Sequence, residues 1–142
     1  MLHRKAGTRE LIEVHGTIES SSCLRCRERR PLDEVLARCR DGGGVPPCDC
    51  GRPLKPDVVL FGELLPQAAL QRASALAENA ELLLCVGSSL EVFPVAALPQ
   101  STLRGGGQVA IVTQGQTPWD KQAAVKLSGD VADELTRLVA AL

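Results

Sequence analysis

Aromatic residues are nearly missing from this 142-residue chain, which has two phenylalanines, one tryptophan and no tyrosine. Its core must therefore be built from Leu, Val, Ile and Ala, as in helix-covered parallel sheets. A surplus of either charge is missing too: 16 Lys and Arg stand against 17 Asp and Glu, a net of −1. That balance leaves no electrostatic footprint for nucleic acid or an anionic membrane surface, so neither partner is expected. No apolar run approaches the ~20 residues of a membrane span, and residues 1–5 lack the apolar core of a secretory signal. A cytoplasmic, reducing location is expected, where closely spaced cysteines bind metal more often than they form disulfides. The G-x-G-x-x-G fingerprint of dinucleotide sites is also absent.

What the chain does have is six cysteines, four of them in two close pairs. Cys23 and Cys26 have the usual two-residue gap; Cys48 and Cys50 are separated by one residue. Two such pairs around a polar, Gly- and Pro-rich excursion read as a tetrahedral thiolate zinc site. Residues 17–57 are too polar to build a hydrophobic core, and thiolate–zinc binding would supply the folding free energy instead. Cys39 is left over beside this module, and Cys85, inside an apolar run, reads as an inert core thiol. Six arginines between 25 and 40 make the module locally basic, a solvated face or a surface for an acidic partner.

Around the module the pattern suggests an α/β fold. Residues 1–7 read as a helix end capped by Gly7, and 11–14 as a short strand with His15 at its C-terminal end. Within the module, 31–38 suggest a brief helix and Gly42-Gly43-Gly44 a loop. Residues 58–61 form an apolar strand and 66–80 a helix, with Pro66 in its first turn and Leu70, Ala73, Leu76, Ala77 and Ala80 on one face. Residues 82–86 read as a fully buried strand, 95–103 as a helix interrupted by Pro99, and 109–112 and 125–127 as strands. A terminal helix over 131–142 should turn Leu135, Leu138 and Val139 inward. Strands alternating with helices imply parallel crossovers and an open sheet. The expected organisation is a partial Rossmann-like domain of residues 1–16 and 58–142, with 17–57 as a zinc-binding module.

Ligands of open parallel sheets bind beyond the carboxyl ends of the strands. His15-Gly16, Gly62-Glu63, Gly87-Ser88-Ser89 and Thr113-Gln114-Gly115 fall at such ends. His15 is the one plausible acid–base group; its bland alternative is an imidazole satisfied by a backbone carbonyl. Ser88 and Ser89 suit a phosphate or ribose, or simply start a turn.

Taken together and in order, these stretches resemble the sirtuins, the NAD-dependent protein-lysine deacylases. Leu2-His3-Arg4-Lys5-Ala6-Gly7 is similar to the family's Leu-His-x-x-Ala-Gly helix, and Glu13-Val14-His15-Gly16 to its catalytic His-Gly. Cys23, Cys26, Cys48 and Cys50 fall where its structural zinc ligands belong. Pro56 through Glu63 resembles its substrate-binding strand, and Val86 through Pro94 its Gly-Thr-Ser NAD loop. Residues 109–113 and Gly129-Asp130-Val131 resemble its adenosine-binding strand and terminal loop. The likeness spans the whole chain.

The resemblance implies His15 as general base toward the NAD ribose. It implies Gly87, Ser88, Ser89, Thr113, Gly129, Asp130 and Val131 as NAD contacts. Val59, Leu60, Phe61, Gly62, Glu63, Leu90 and Val92 would grip an acyl-lysine protein or peptide as an added strand. The products would be deacylated lysine, nicotinamide and O-acyl-ADP-ribose. Two departures stand out. The family's Gly-Ala-Gly phosphate loop and Gln-Asn-x-Asp segment precede the Leu-His helix and are not found here, and Thr113 stands where the family usually has Asn. The chain thus reads as the C-terminal half of a sirtuin, with an exposed sheet edge and apolar surface. It is expected to be impaired alone and to need a chain supplying the missing N-terminal half. A non-catalytic zinc-containing peptide-binding module and a zinc-ribbon nucleic-acid binder are the competing readings.

Overall fold

The structure, a computed structural model, describes residues 2–42 and 44–142. Met1 and Gly43, which belong to the expected N-terminal helix and glycine loop, lie outside the described residues. Tertiary contacts divide the chain into two compact units, Met1–Ala69 and Leu70–Leu142.

The first unit opens with helix α1 (Leu2–Lys5), which ends as expected at Gly7, at φ +86°. Residues 11–14 do not form the expected strand. A strand needs a ladder partner, and here the Gly16 amide instead donates back to the Glu13 carbonyl at 3.1 Å. His15 therefore sits in a turn just before β1 (Gly16–Cys23). β1 is the centre of a three-stranded antiparallel sheet in the order β2-β1-β3. Its neighbours are β2 (Arg29–Pro31) and β3 (Leu54–Val58).

The strand expected over 58–61 is displaced toward the N-terminus. Pairing decides its position: β1 matches Cys23 to Leu54, Ser22 to Lys55 and Ser21 to Pro56. Pro56, which cannot donate, is accommodated because β3 is an edge strand. Residues 59–63 leave the ladder as a loop. Helix α2 (Leu32–Gly42) outlasts the expected 31–38 span and packs on β1 and β2. The module's apolar core is small, with Cys23, Val35, Cys48 and Leu54 buried and Cys39 packed against them. Two of those four residues are candidate metal ligands, so a metal and the core hold the same place.

The second unit is a parallel sheet in the order β4-β5-β6. Its strands are β4 (Leu82–Val86), β5 (Gln108–Val112) and β6 (Val125–Leu127). Helix α3 (Gln67–Glu78) leads into β4. A single 3-10 turn (Val95–Ala97) runs into α4 (Leu98–Arg104), which packs on β4 and β5. Pro99 does not interrupt this helix but opens it, at a position where no N–H is needed. Thr102 on α4 is fully buried and donates to the Ala77 carbonyl at 2.7 Å, joining α4 to α3.

The core of this unit gathers Leu90, Val109 and Ile111, with Leu83, Cys85, Leu103, Trp119 and Ala123 against them. β4 is not fully buried, as its apolar run had suggested. Leu83 and Cys85 turn toward the core, whereas Leu82, Leu84 and Val86 are exposed on the opposite face. Alternation and an edge position explain this: successive side chains point to opposite sides of a sheet. The terminal helix α5 (Val131–Ala140) forms, capped by the Asp130 carboxylate on the Ala132 and Asp133 amides. Its Leu138 and Val139 are exposed rather than inward; only Leu135 of that trio is half-buried. No helix among the described residues is long and apolar enough to cross a membrane.

Candidate functional site

The zinc expectation can be tested on geometry. Cys23 ends β1, Cys26 follows in the turn that leads to β2, and Cys48 and Cys50 come from the turn before β3. The four Sγ atoms all lie within 4.8 Å of one another. Cys23 and Cys50 are 3.5 Å apart, and Cys26 and Cys48 3.4 Å. Disulfides would need about 2.05 Å, whereas four sulfurs about 2.3 Å from one zinc lie about 3.8 Å apart.

The electrostatics agree with that geometry. Amides of Cys26 and Arg25 directed at Cys23 lower its pKa to about 6. Cys48 moves the other way. Although the Cys50 amide favours its thiolate, the Glu28 carboxylate, burial and neighbouring sulfurs push it far above the ordinary thiol range. Four sulfurs this close cannot all be anionic unless a cation sits among them. The donor set thus fits a structural zinc, and four thiolates leave no open position for a reacting water. Cys39 lies outside the cluster, in the small core.

On the same sheet, His15-Gly16 is tied to the loop after β3. The Val59 amide donates to the His15 carbonyl at 2.9 Å. Gly16 has φ +72°, and a Cβ built there would lie 1.9 Å from the Asp57 carbonyl oxygen. Only glycine allows so close an approach at this φ. The His15 imidazole is exposed and makes no hydrogen bond among the described residues, so the backbone-satisfied alternative is not what the structure shows.

Residues 59–63 are held by a small polar knot. The Glu63 carboxylate accepts from the Leu60 amide and pairs with Lys55, each at 2.9 Å, and Lys55 also donates to the Val58 carbonyl. The Leu60 amide and then Lys55 hold the Glu63 carboxyl below its usual range. Phe61 stands 97% exposed.

In the second unit, three expected stretches that are distant in sequence meet at one sheet end. Gly87 follows β4, Thr113 follows β5 and Gly129 lies just beyond β6, and these are adjacent parallel strands. Gly87 (φ +62°) has open space where a Cβ would stand. Ser88 Oγ accepts from the Leu90 amide, while Ser89 is exposed. Asp130 caps α5 through Oδ1, which accepts from the Ala132 and Asp133 amides, and Leu90 buries its side chain in the core, leaving backbone as what it offers a ligand. Val92 is exposed.

The Sir2 family model matches residues 1–94, two thirds of the sequence. The chain belongs to the Sir2 family. Similar Sir2 relatives include the NAD-dependent protein deacetylases of Thermotoga maritima and Haloarcula marismortui. Each is 40% identical over 139 residues, covering 97% of this chain but 56% and 54% of the relative. A solved structure of Sir2Tm bound to a propionylated peptide superposes with a TM-score of 0.93 at 40% identity, over 98% of this chain and 59% of that one. A Sir2–p53 peptide–NAD+ complex matches with the same TM-score and identity, over 98% and 58%. This Sir2 chain therefore spans about half the length of the curated relatives it matches.

Some residues around the Sir2 zinc cluster were not anticipated from the sequence. Glu28 accepts from Cys48 Sγ at 3.0 Å. Arg30 reaches both Glu28 and Asp49. The only sequence signal was charged residues placed two after Cys26 and between Cys48 and Cys50.

Proposed function

We propose that this chain carries the zinc module, the peptide-gripping loop and part of the cofactor cleft of an NAD-dependent protein-lysine deacylase. The observation that carries the proposal is 40% identity across 97% of the chain to a named NAD-dependent protein deacetylase. The solved neighbours, held with acylated peptide and with NAD+, support an acyl-lysine peptide as substrate and NAD as co-substrate. When bound, NAD supplies the ADP-ribose that takes the acyl group, with nicotinamide leaving.

In this reading His15 is the general base. Its exposed imidazole is free of competing hydrogen bonds, and the Gly16 turn and the Val59 amide fix its backbone. An imidazole positioned beside the reacting hydroxyl is suited to general-base work. The loop 59–63 offers to an extended peptide the Phe61 and Gly62 amides, which have no partner among the described residues, and Phe61 offers apolar surface to it. The loops at Gly87, Thr113 and Gly129 receive the nucleotide, with the exposed Ser89 available to ribose or phosphate. The reduced cysteines suit a reducing compartment such as the cytoplasm.

Because the chain spans about half of its relatives, we propose that turnover requires a second segment equivalent to their N-terminal part. The test is nicotinamide release from NAD and an acetyl-lysine peptide. It is measured for the chain alone and with the N-terminal segment of the Thermotoga maritima relative added. Little turnover alone, gain on addition and loss in His15→Ala is the expected pattern. Equal release by His15→Ala and the parent in the complemented mixture would refute the assignment of the base. No release in any mixture, with peptide still bound, would favour a non-catalytic peptide-binding module.

A further inference from the structure

The two cysteine turns that form the zinc cluster are unequally anchored. The first is built into the sheet: Cys23 pairs with Leu54, its amide donates to the Glu28 carbonyl at 2.9 Å, and the Arg27 amide donates to the Cys23 carbonyl at 3.1 Å. The second, Cys48-Asp49-Cys50, has a single residue between its sulfurs and belongs to no helix or strand. It is closed by the Gly51 amide on the Cys48 carbonyl and the Cys48 amide on the Arg52 carbonyl, both 2.8 Å, beside one isolated bridge from Pro47 to Pro53. Besides the sulfurs and the Glu28–Cys48 contact, one cationic side chain spans the two turns. Arg30, on β2, bonds Glu28 Oε1 through Nε at 2.9 Å and through Nη2 at 2.6 Å. The same Nη2 lies 3.0 Å from Asp49 Oδ1. The Arg30 side chain is only 24% exposed, so it is held in place rather than solvated.

We propose that Arg30 is a positioning residue for the metal, a guanidinium fork that locks the less anchored second cysteine turn against the first and slows zinc loss. Glu28 and Asp49 are its two arms. The planar guanidinium can serve two carboxylates at once in a fixed geometry, which a lysine ammonium does not reproduce. Outer partners that orient metal ligands typically change metal affinity about 10- to 100-fold when removed. Asp49 is 79% exposed, so the lower end of that range applies.

The test uses the full zinc-loaded chain and follows transfer of zinc to excess 4-(2-pyridylazo)resorcinol by absorbance. Arg30→Ala should release zinc about tenfold faster than the parent. Asp49→Ala should do so by a smaller factor; it removes an exposed group and keeps the proposal testable if Arg30→Ala does not fold. Arg52→Ala is the control, because Arg52 is a positive charge two positions after Cys50 in the chain, with no ion pair among the described residues. It should release zinc at the parental rate. Parental release in Asp49→Ala overturns the clamp, as does acceleration by Arg52→Ala equal to that of Arg30→Ala. Full recovery of the parental rate by Arg30→Lys also overturns it, since charge alone would then suffice. The proposal rests on the zinc reading. A chain that takes up no zinc overturns both, whereas bound zinc with unchanged release rates overturns the clamp alone.

Discussion

Two glycines with similar dihedral angles should respond very differently to the same added methyl group. Gly16 and Gly62 have φ of +72° and +86°, so alanine at either pays the left-handed penalty of about 1–2 kcal/mol. Around Gly62 nothing lies within 4 Å of the new Cβ, and the penalty ends there. At Gly16 the Cβ would lie 1.9 Å from the Asp57 carbonyl oxygen, where ordinary contact begins at 3.4 Å. The start of β1 and the end of β3 would have to separate by about 1.5 Å, since a backbone oxygen cannot rotate away. That displacement stretches the 2.9 Å Val59–His15 hydrogen bond beyond range, adding about 0.5–1.5 kcal/mol. Gly16→Ala should therefore cost about 1.5–3.5 kcal/mol and Gly62→Ala about 1–2 kcal/mol. For a unit of this size the first lowers the melting temperature by about 10–20 °C. The zinc ligand Cys23 is at the far end of β1, so metal content should stay at one zinc per chain. Thermal melts of the two zinc-loaded variants, with metal quantified, provide the measurement. Equal melting temperatures would refute the close-approach argument, and loss of zinc in Gly16→Ala would refute the claim that the damage is local.

Zinc removal by a strong chelator should unfold the first unit cooperatively. Thiolate–zinc binding is worth on the order of 10 kcal/mol, and among the described residues the apolar core cluster there holds only Val35 and Leu54 beside the ligands Cys23 and Cys48; amide exchange that stays protected across 16–58 after chelation would contradict this. Ser21→Ala should raise stability by about 1 kcal/mol, because its buried hydroxyl has no hydrogen-bond partner among the described residues; a lower denaturation midpoint would count against it. Glu63 has its folded pKa below the unfolded value, so its contribution is full at neutral pH and is lost as pH falls below about 4.3. Glu63→Gln should therefore flatten the acid limb of the stability profile relative to the parent. Parallel profiles for the two would rule out that linkage.

How far the sequence was legible differs between the two units. In the second, the apolar runs at 82–86, 109–112 and 125–127 became strands nearly as expected, because parallel core strands announce themselves as β-branched and leucine-rich blocks. Their exposure was misread: periodicity cannot tell a central strand from an edge strand, so Leu84 and Val86 were expected inside. In the first unit, β1 was hidden because Ser20-Ser21-Ser22 carries no apolar alternation. β3 was placed four residues late because Val59-Leu60-Phe61 looks more strand-like than Lys55-Pro56-Asp57. Pairing energy with β1 overrode that local preference.

Residue spacing alone sufficed for the cysteine cluster, since a soft divalent metal demands four thiolates in close pairs whatever chain delivers them. It also indicated the family, through several short motifs kept in order. The tertiary structure alone decided that the His15 carbonyl binds Val59 and that Arg30 spans both cysteine turns. Those contacts join residues as far as 44 positions apart. Their free energy depends on where the backbone brings them, and no local pattern of side chains records it.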